Sequence, residues 1–321
     1  MKILTILIFL NSIFVWSQEN QSDLNKYFLK GKVKTIHSVI YDANVINDSL
    51  VVKGPKKVIK RFFFNNETFI TFNEFGLVTE IQDNAKHEKN TYNDIDKLFI
   101  TQYLDSNSNI FRKTIYKYDR TNRLKLELGY TRENQIDYKL MYKYKNGKIT
   151  SQVEKYLDDK EKYSTNYKYD KPRNLIERVE YENDSITSIF KFKNDSLGRA
   201  IKVEEFNSKN VLIKTRTYEY NKNGLLTKIL ILNSKNILIS KIEYTFDINK
   251  NLIEEKETFE NYSTYKQYNL MGDEILYVDE FIKGDIKEFE YTYDKNNNWI
   301  KKVDYFNGTP IDIVEREIIY Y

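Results

Sequence analysis

The sequence predicts an all-β protein, an antiparallel β-meander of about twenty strands built from hairpin repeats of ~25 residues. Three observations predict it. An aromatic phrase recurs along the chain, with its second ring at Tyr118, Tyr144, Tyr169, Phe192, Tyr220, Phe246, Tyr268 and Tyr293, at intervals of 22 to 28 residues. A period in that range marks a repeat architecture. Apolar and polar residues alternate with period two around each copy, and the composition favours strands: 27 Tyr and 19 Phe against 10 Gly and 3 Pro.

Residues 1–17 read as a secretory signal peptide. Lys2 supplies a short positive region, Ile3 to Val15 an apolar run, and Ser17 a small residue at the cleavage point. The run falls short of the ~20 residues that a spanning helix needs, and no later stretch reaches that length. The expectation is export to the periplasm or outside the cell, with no transmembrane segment. With no Cys in the chain, the fold must hold by burial alone. Residues 18–30 form a polar lead-in, with a short helix expected around Leu24 to Leu29.

The repeat domain covers 31–321. Its first strand is Gly31 to Asp42, followed by a longer connection from Ala43 to Arg61 that carries Gly54-Pro55 and Lys53, Lys56, Lys57, Lys60 and Arg61. These cations read as a solvated loop ahead of Phe62-Phe63-Phe64. The pattern is weak around Tyr92 and regular from Ile115 onward. In Tyr163 to Asp170 the odd positions are Tyr, Thr, Tyr and Tyr and the even ones Ser, Asn, Lys and Asp, as in a half-buried strand. Past the turn after Tyr116-Lys117-Tyr118-Asp119, Leu124, Leu126 and Leu128 share one face while Lys125 and Glu127 share the other. An Asp or Asn follows the second aromatic, and Asn122, Gly147, Asn174, Gly198, Gly224, Asn251, Gly272 and Asn298 are the positions expected at φ > 0. Turns this short join antiparallel neighbours. The aromatic face then needs the sheet to curl or coil on itself, open or closed.

The phrase resembles the YD repeat of the RHS family, Y-x-Y-D-x-x-G-R-L and variants. The likeness is strongest at Tyr116–Leu126 and Tyr291–Trp299, and Leu197-Gly198-Arg199-Ala200 matches the Gly-Arg step. Elsewhere that step is mostly replaced by Asn and another residue, so the chain looks like a diverged relative. Large members coil their repeats into a hollow shell around a toxic C-terminal segment. Here the repeats run to Tyr321, so the toxin role is not implied. The Gly31-Lys32-Val33-Lys34 opening is similar to that of small exported repeat proteins of Bacteroidota.

Residues that carry chemistry are few. His37 and His87 are the only histidines, and with no Cys they make neither a triad nor a zinc site easy to build. No catalytic, metal or cofactor-binding residue is therefore assigned. Glu204-Glu205 and Glu254-Glu255 are adjacent in strands and point to opposite faces. Asp105/Asn107/Asn109, Asp247/Asn249/Asn251 and Asp294/Asn296/Asn298 spell D-x-N-x-N, but Ile110, Leu252 and Trp299 stand where a calcium loop has Gly, and turn chemistry explains the same letters. The charges, 51 Lys plus Arg against 47 Asp plus Glu, are interleaved rather than clustered, which disfavours nucleic acid. An outer-membrane barrel is disfavoured because both rows of many strands carry charge, as in Leu175/Glu177/Val179 and Ile176/Arg178/Glu180.

The expected function is a non-catalytic, exported repeat scaffold or binding module whose partner is a protein or an envelope glycan. The alternative is a glycan binder using Tyr291, Tyr293 and Trp299 as a solvent-facing ligand platform. An envelope polysaccharide hydrolase comes third and requires two carboxylates facing one cleft.

Overall fold

The computed structural model describes residues 22–47, 50–57, 67–83, 86–156, 161–281 and 284–321. The signal-peptide reading of 1–17, and Lys60, Arg61 and Phe62–Phe64, lie outside them. Among the described residues are twenty-three strands, all in one sheet and all paired antiparallel to their neighbours. No helix among them is long and apolar enough to cross a membrane.

The strands are held by one kind of turn, repeated. At Asp294–Asn298 the Asp294 N–H donates to the Asn298 carbonyl at 2.9 Å and the Asn297 N–H to the Asp294 carbonyl at 3.0 Å. The Asp294 carboxylate accepts from the backbone N–H groups of Asn296 and Asn298, both at 2.9 Å. The same bonds recur at Asn73, Asp105, Asp119, Asn207, Asn221 and Asn233. This is a type I turn closed by a left-handed residue in a bulge. The left-handed residue is the third after the Asx: Asn122, Gly198, Gly224 and Gly272 as expected, but Arg173, Lys250 and Asn297 rather than Asn174, Asn251 and Asn298. The Asx side chain bonds residues two and four ahead, so the residue between them takes the positive φ whatever its type. Asn146-Gly147, Asn183-Asp184 and Asn307-Gly308 have positive φ at both positions and make tighter two-residue turns.

Aromatic residues tie one hairpin to the next. Tyr118 at the end of β7 (Ile110–Tyr118) donates to the carbonyl of Leu98, first residue of β6 (Leu98–Leu104), at 2.8 Å. Tyr92, Tyr144, Tyr220 and Tyr291 make the equivalent bond to Val78, Leu124, Ala200 and Glu274, the first residues of the strands before theirs. Arg199 donates from Nε to Asp195 of its own turn at 2.7 Å, and its guanidinium lies 4.3 Å from the Tyr220 ring centre; Arg123 repeats this with Asp119 and Tyr144. At Tyr118 and Tyr220 the phrase thus combines a strand end, a turn cap and a latch to its neighbour.

The sheet closes, which corrects the expectation of a sheet coiled or curled on itself. Strand β1 (Val33–Ile46) lies between β23 (Thr309–Tyr320) and β3 (Glu67–Phe72). Its Val33–Asp42 pair with Tyr320–Asp312 on one side, and its Thr35–Val39 with Thr71–Glu67 on the other. The result is a closed barrel of 22 strands. The connection expected after Ala43 is also partly strand: β1 runs on to Ile46 and forms an outlying hairpin with β2 (Leu50–Lys56), which includes Gly54-Pro55.

The stagger of the ring sets its size. Cross-strand partners followed from Ile70 once round the ring close only after lifts along five strands. The lifts are four residues each at Arg112–Tyr116, Tyr163–Tyr167, Lys214–Tyr218 and Ile40–Ile36, and six at Asp285–Tyr291, or 22 in all. With ~3.3 Å per residue and ~4.8 Å between strands, that stagger gives a tilt of about 35° and a backbone diameter of about 40 Å. Strands twist right-handed, and with this sense of stagger the row carrying Phe289, Tyr291 and Tyr293 faces the axis. Ile36, Ile70, Phe72, Thr101, Thr114, Phe190 and Ser240 on that row are buried, while Phe69, Ile286 and Ile319 on the other are exposed, although Val39, Leu128, Val303 and Ile313 on the other row are buried as well.

The lead-in belongs to the core. The short helix expected around Leu24 to Leu29 is a 3-10 helix over Asp23–Tyr27, and Leu24, Tyr27 and Leu29 pack on Val33, Ile36, Ile70, Phe72 and Val78. Tyr27 meets Phe72 edge-on at 5.7 Å. The Lys30 N–H donates to Asn298 at 2.7 Å and Asn298 donates back to the Lys30 carbonyl at 2.8 Å. This segment therefore lines the rim of the barrel beside its closing seam.

Candidate functional site: the barrel lumen

The two sheet faces differ in kind. On the outer row, Glu219, Lys228, Glu243 and Lys256 are direct cross-strand partners on four successive strands. Such interleaved charge makes a solvated face of alternating pairs. The inner row carries most of the repeat tyrosines, with Arg, Glu and Asp set among them. Burial raises the pKa of Tyr116, Tyr142, Tyr167, Tyr218 and Tyr244 there, that of Tyr244 to about 12. Their hydroxyls are thus neutral hydrogen-bonding groups at any ordinary pH.

Tyr291, Tyr293 and Trp299 come together on that inner row. Tyr291 and Tyr293 alternate along β21 (Asp285–Tyr293), and Trp299 opens β22 (Trp299–Phe306) as the partner of Tyr293. The Tyr291 ring stacks on Tyr293 and meets Trp299 near edge-on, each at 6.0 Å between centres. Tyr293 donates to Asp273 at 2.8 Å and accepts from Asn269 at 2.6 Å, and burial followed by the Asp273 bond raises its pKa to about 12. All three rings are half-buried and face the lumen rather than the bulk solvent outside.

Arg316 completes this group. Its guanidinium lies 3.3 Å from the Trp299 ring centre. Burial pulls its pKa down to about 10, so it stays charged at neutral pH. The signal for it was present in the sequence: Arg316 shares a row of the last strand with Val314 and Ile318, a cation set between two apolar residues on the inward face.

A second group sits on β7 to β10. Glu127 of β8 (Leu124–Tyr130) accepts from Tyr142 at 2.8 Å and Glu154 of β10 (Lys148–Tyr156) accepts from Tyr156 at 2.5 Å. Both are partners of Leu140 on the strand between, so their backbones are about 10 Å apart. Burial, with a smaller push from Glu154, raises the Glu127 pKa. Beside them Tyr103, Phe111, Arg112, Thr114 and Tyr138 line a hollow of about 390 Å³. Arg112 is already paired with Asp137 at 2.7 Å.

The remaining sequence candidates have structural partners. His37 bonds Glu67 at 2.8 Å and stacks on Phe69, and His87 bonds Glu80 at 2.7 Å. Among the described residues no three His, Cys, Asp or Glu converge as a metal site. The D-x-N-x-N carboxylates cap their own turns, Asp105 and Asp247 included. Glu205 points inward to Arg216 and Glu204 outward to Lys202, as alternation requires.

No protein-family model matches the sequence, and no curated protein matches it. Among solved structures, the chain is similar to TcdB2-TccC3-TEV, at 11% identity and a TM-score of 0.31, over 77% of this chain and 16% of that one. It is also similar to porin-like proteins from Bacteroides uniformis (9% identity, 91% and 98% of the two chains, TM-score 0.32) and Bacteroides vulgatus (7%, 91% and 99%, 0.25). At these TM-scores nothing about activity follows from the likenesses, and the chain spans only a small part of the first.

Proposed function

We propose that this chain is an exported, non-catalytic binding barrel of the cell envelope or extracellular space, and that it holds a glycan strand in its lumen. The observation that supports this is the inward row of tyrosines and Trp299. Rings with neutral hydroxyls offer flat apolar surface and hydrogen bonds together, which is what pyranose rings present in return. Glu127 and Glu154 stand across one strand from each other, but tyrosines hold both, so a hydrolase is the weaker reading. The charge ladder of the outer row speaks against lipid contact. We also read the chain as a diverged YD repeat, on the strength of the Tyr-to-carbonyl latches and the Arg199 and Arg123 steps.

The test is a glycan and peptidoglycan array probed with the folded chain and with a Tyr291→Ala/Trp299→Ala variant. The expected result is retention of one polysaccharide class, with at least tenfold weaker retention by the variant. Equal retention by both proteins, or none by either, would remove the lumen as the binding site.

A further inference from the structure

We infer that Arg316, braced on Trp299, anchors a carboxylate of an acidic sugar on a ligand lying in the lumen. This deepens the proposed function and rests on it. The Arg316 Nε is enclosed by protein and has no hydrogen-bond acceptor. Among the described residues no carboxylate lies within ion-pair distance of the guanidinium. Other lumen arginines differ: Arg112, Arg178 and Arg216 are paired with Asp137, Glu180 and Glu205. A cation withdrawn from water without a directly paired carboxylate is destabilising, and a bound anion relieves that cost.

The surroundings narrow the ligand. The cross-strand partner of Arg316 is Ser38, so the backbone opposite brings a small hydroxyl and no charge. Trp299 fixes the plane of the guanidinium, and its terminal nitrogens are not enclosed, leaving a fork that matches a planar carboxylate. Tyr291 and Tyr293 lie next to it with stacked rings, so a sugar whose acid group reaches Arg316 has aromatic surface beside its ring. The negative charge of Asp273 acts on the same guanidinium, whereas Asp304 and Asp312, cross-strand partners on the same row, are already paired with Lys302 and Lys57. The Asp273 charge disfavours a doubly charged phosphate and tolerates a single carboxylate.

The chain has two tryptophans, so Trp16→Phe leaves Trp299 as the sole reporter. The full chain with that substitution is titrated by fluorescence with tetragalacturonate and with the same oligosaccharide fully methyl-esterified, which removes only the charge. The expected result is a Trp299 response with at least tenfold tighter binding of the acid form. Arg316→Gln brings the acid form down to the affinity of the ester, and Arg316→Lys restores part of the difference. Circular dichroism confirms that each variant keeps its sheet. Equal binding of acid and ester, or a preference that survives Arg316→Gln, overturns the carboxylate anchor and leaves glycan binding in the lumen standing. Binding of neither form, in a protein that also fails the array, overturns both.

Discussion

Glu127 shows how the lumen treats a single charged group. Its carboxyl accepts from Tyr142 and is surrounded by Tyr116 and the strands beside it, and burial raises its pKa above the ordinary 4.5. A raised acid contributes stability that is complete below the unfolded value and is lost as pH rises through the folded one. Turn carboxylates behave oppositely. Arg123 and the backbone hold the Asp119 pKa low, and Asn251 does the same for Asp247, so their contribution is present above the unfolded value and lost as pH falls. Stability should therefore peak in mildly acidic solution. Glu127→Gln keeps the acceptor for Tyr142 and removes the charge. Thermal unfolding should give a higher midpoint than the parent at pH 7 and the same midpoint at pH 4. An equal gain at both pH values would mean that packing, not charge, was responsible.

At the scale of the element, the turn is the unit most legible in the sequence. Asx after the second aromatic marked six of the eight copies, all but Tyr144 and Phe192, because its side chain bonds the backbone locally and needs no distant partner. The one-residue error in the left-handed position has a clear cause. Asn174 and Asn251 are present to bond back to Asp170 and Asp247 at 3.1 and 2.9 Å, and Asn298 to hold Lys30, so their type reports a side-chain role rather than a φ angle. Where glycine does take the left-handed position, the cost of losing it depends on the neighbouring repeat. Gly198 has φ +80°, and an added Cβ would meet the Asn174 Oδ1 at 2.3 Å; at Gly224, φ +82°, the nearest atom is the end of Arg199 at 3.4 Å. Gly224→Ala should cost about 1 kcal/mol, from the backbone alone, and Gly198→Ala about 2 kcal/mol or more, because Asn174 must also move. Urea denaturation midpoints measure the difference, and equal losses would show that the turns respond independently of their neighbours.

Over the whole molecule, closure is the feature that sequence patterning could not supply. Alternation identifies which residues share a face, and turns identify which strands are adjacent, but both are local. The bonds that close the ring join β1 to β23, from opposite ends of the chain, and nothing in either strand names the other. The charges on both rows, read as evidence against a membrane barrel, also hid the barrel itself: one row faces a wide lumen, where charge is tolerated when paired. Side-chain direction predicts a direct test. Ile40 and Val314 are cross-strand partners on the lumen row, at a position where the two residues do not exchange backbone hydrogen bonds. Cα atoms in such pairs approach to ~4.5 Å, within the range a disulfide spans. The chain has no other cysteine, so Ile40→Cys with Val314→Cys should oxidise to one intramolecular disulfide, visible as faster migration on non-reducing gels. Linking the two ends removes loop-closure entropy from the unfolded chain, and the oxidised protein should unfold at higher urea than the reduced one by about 2–4 kcal/mol. An open, coiled sheet holds these positions apart, and would give intermolecular dimers or free thiols instead.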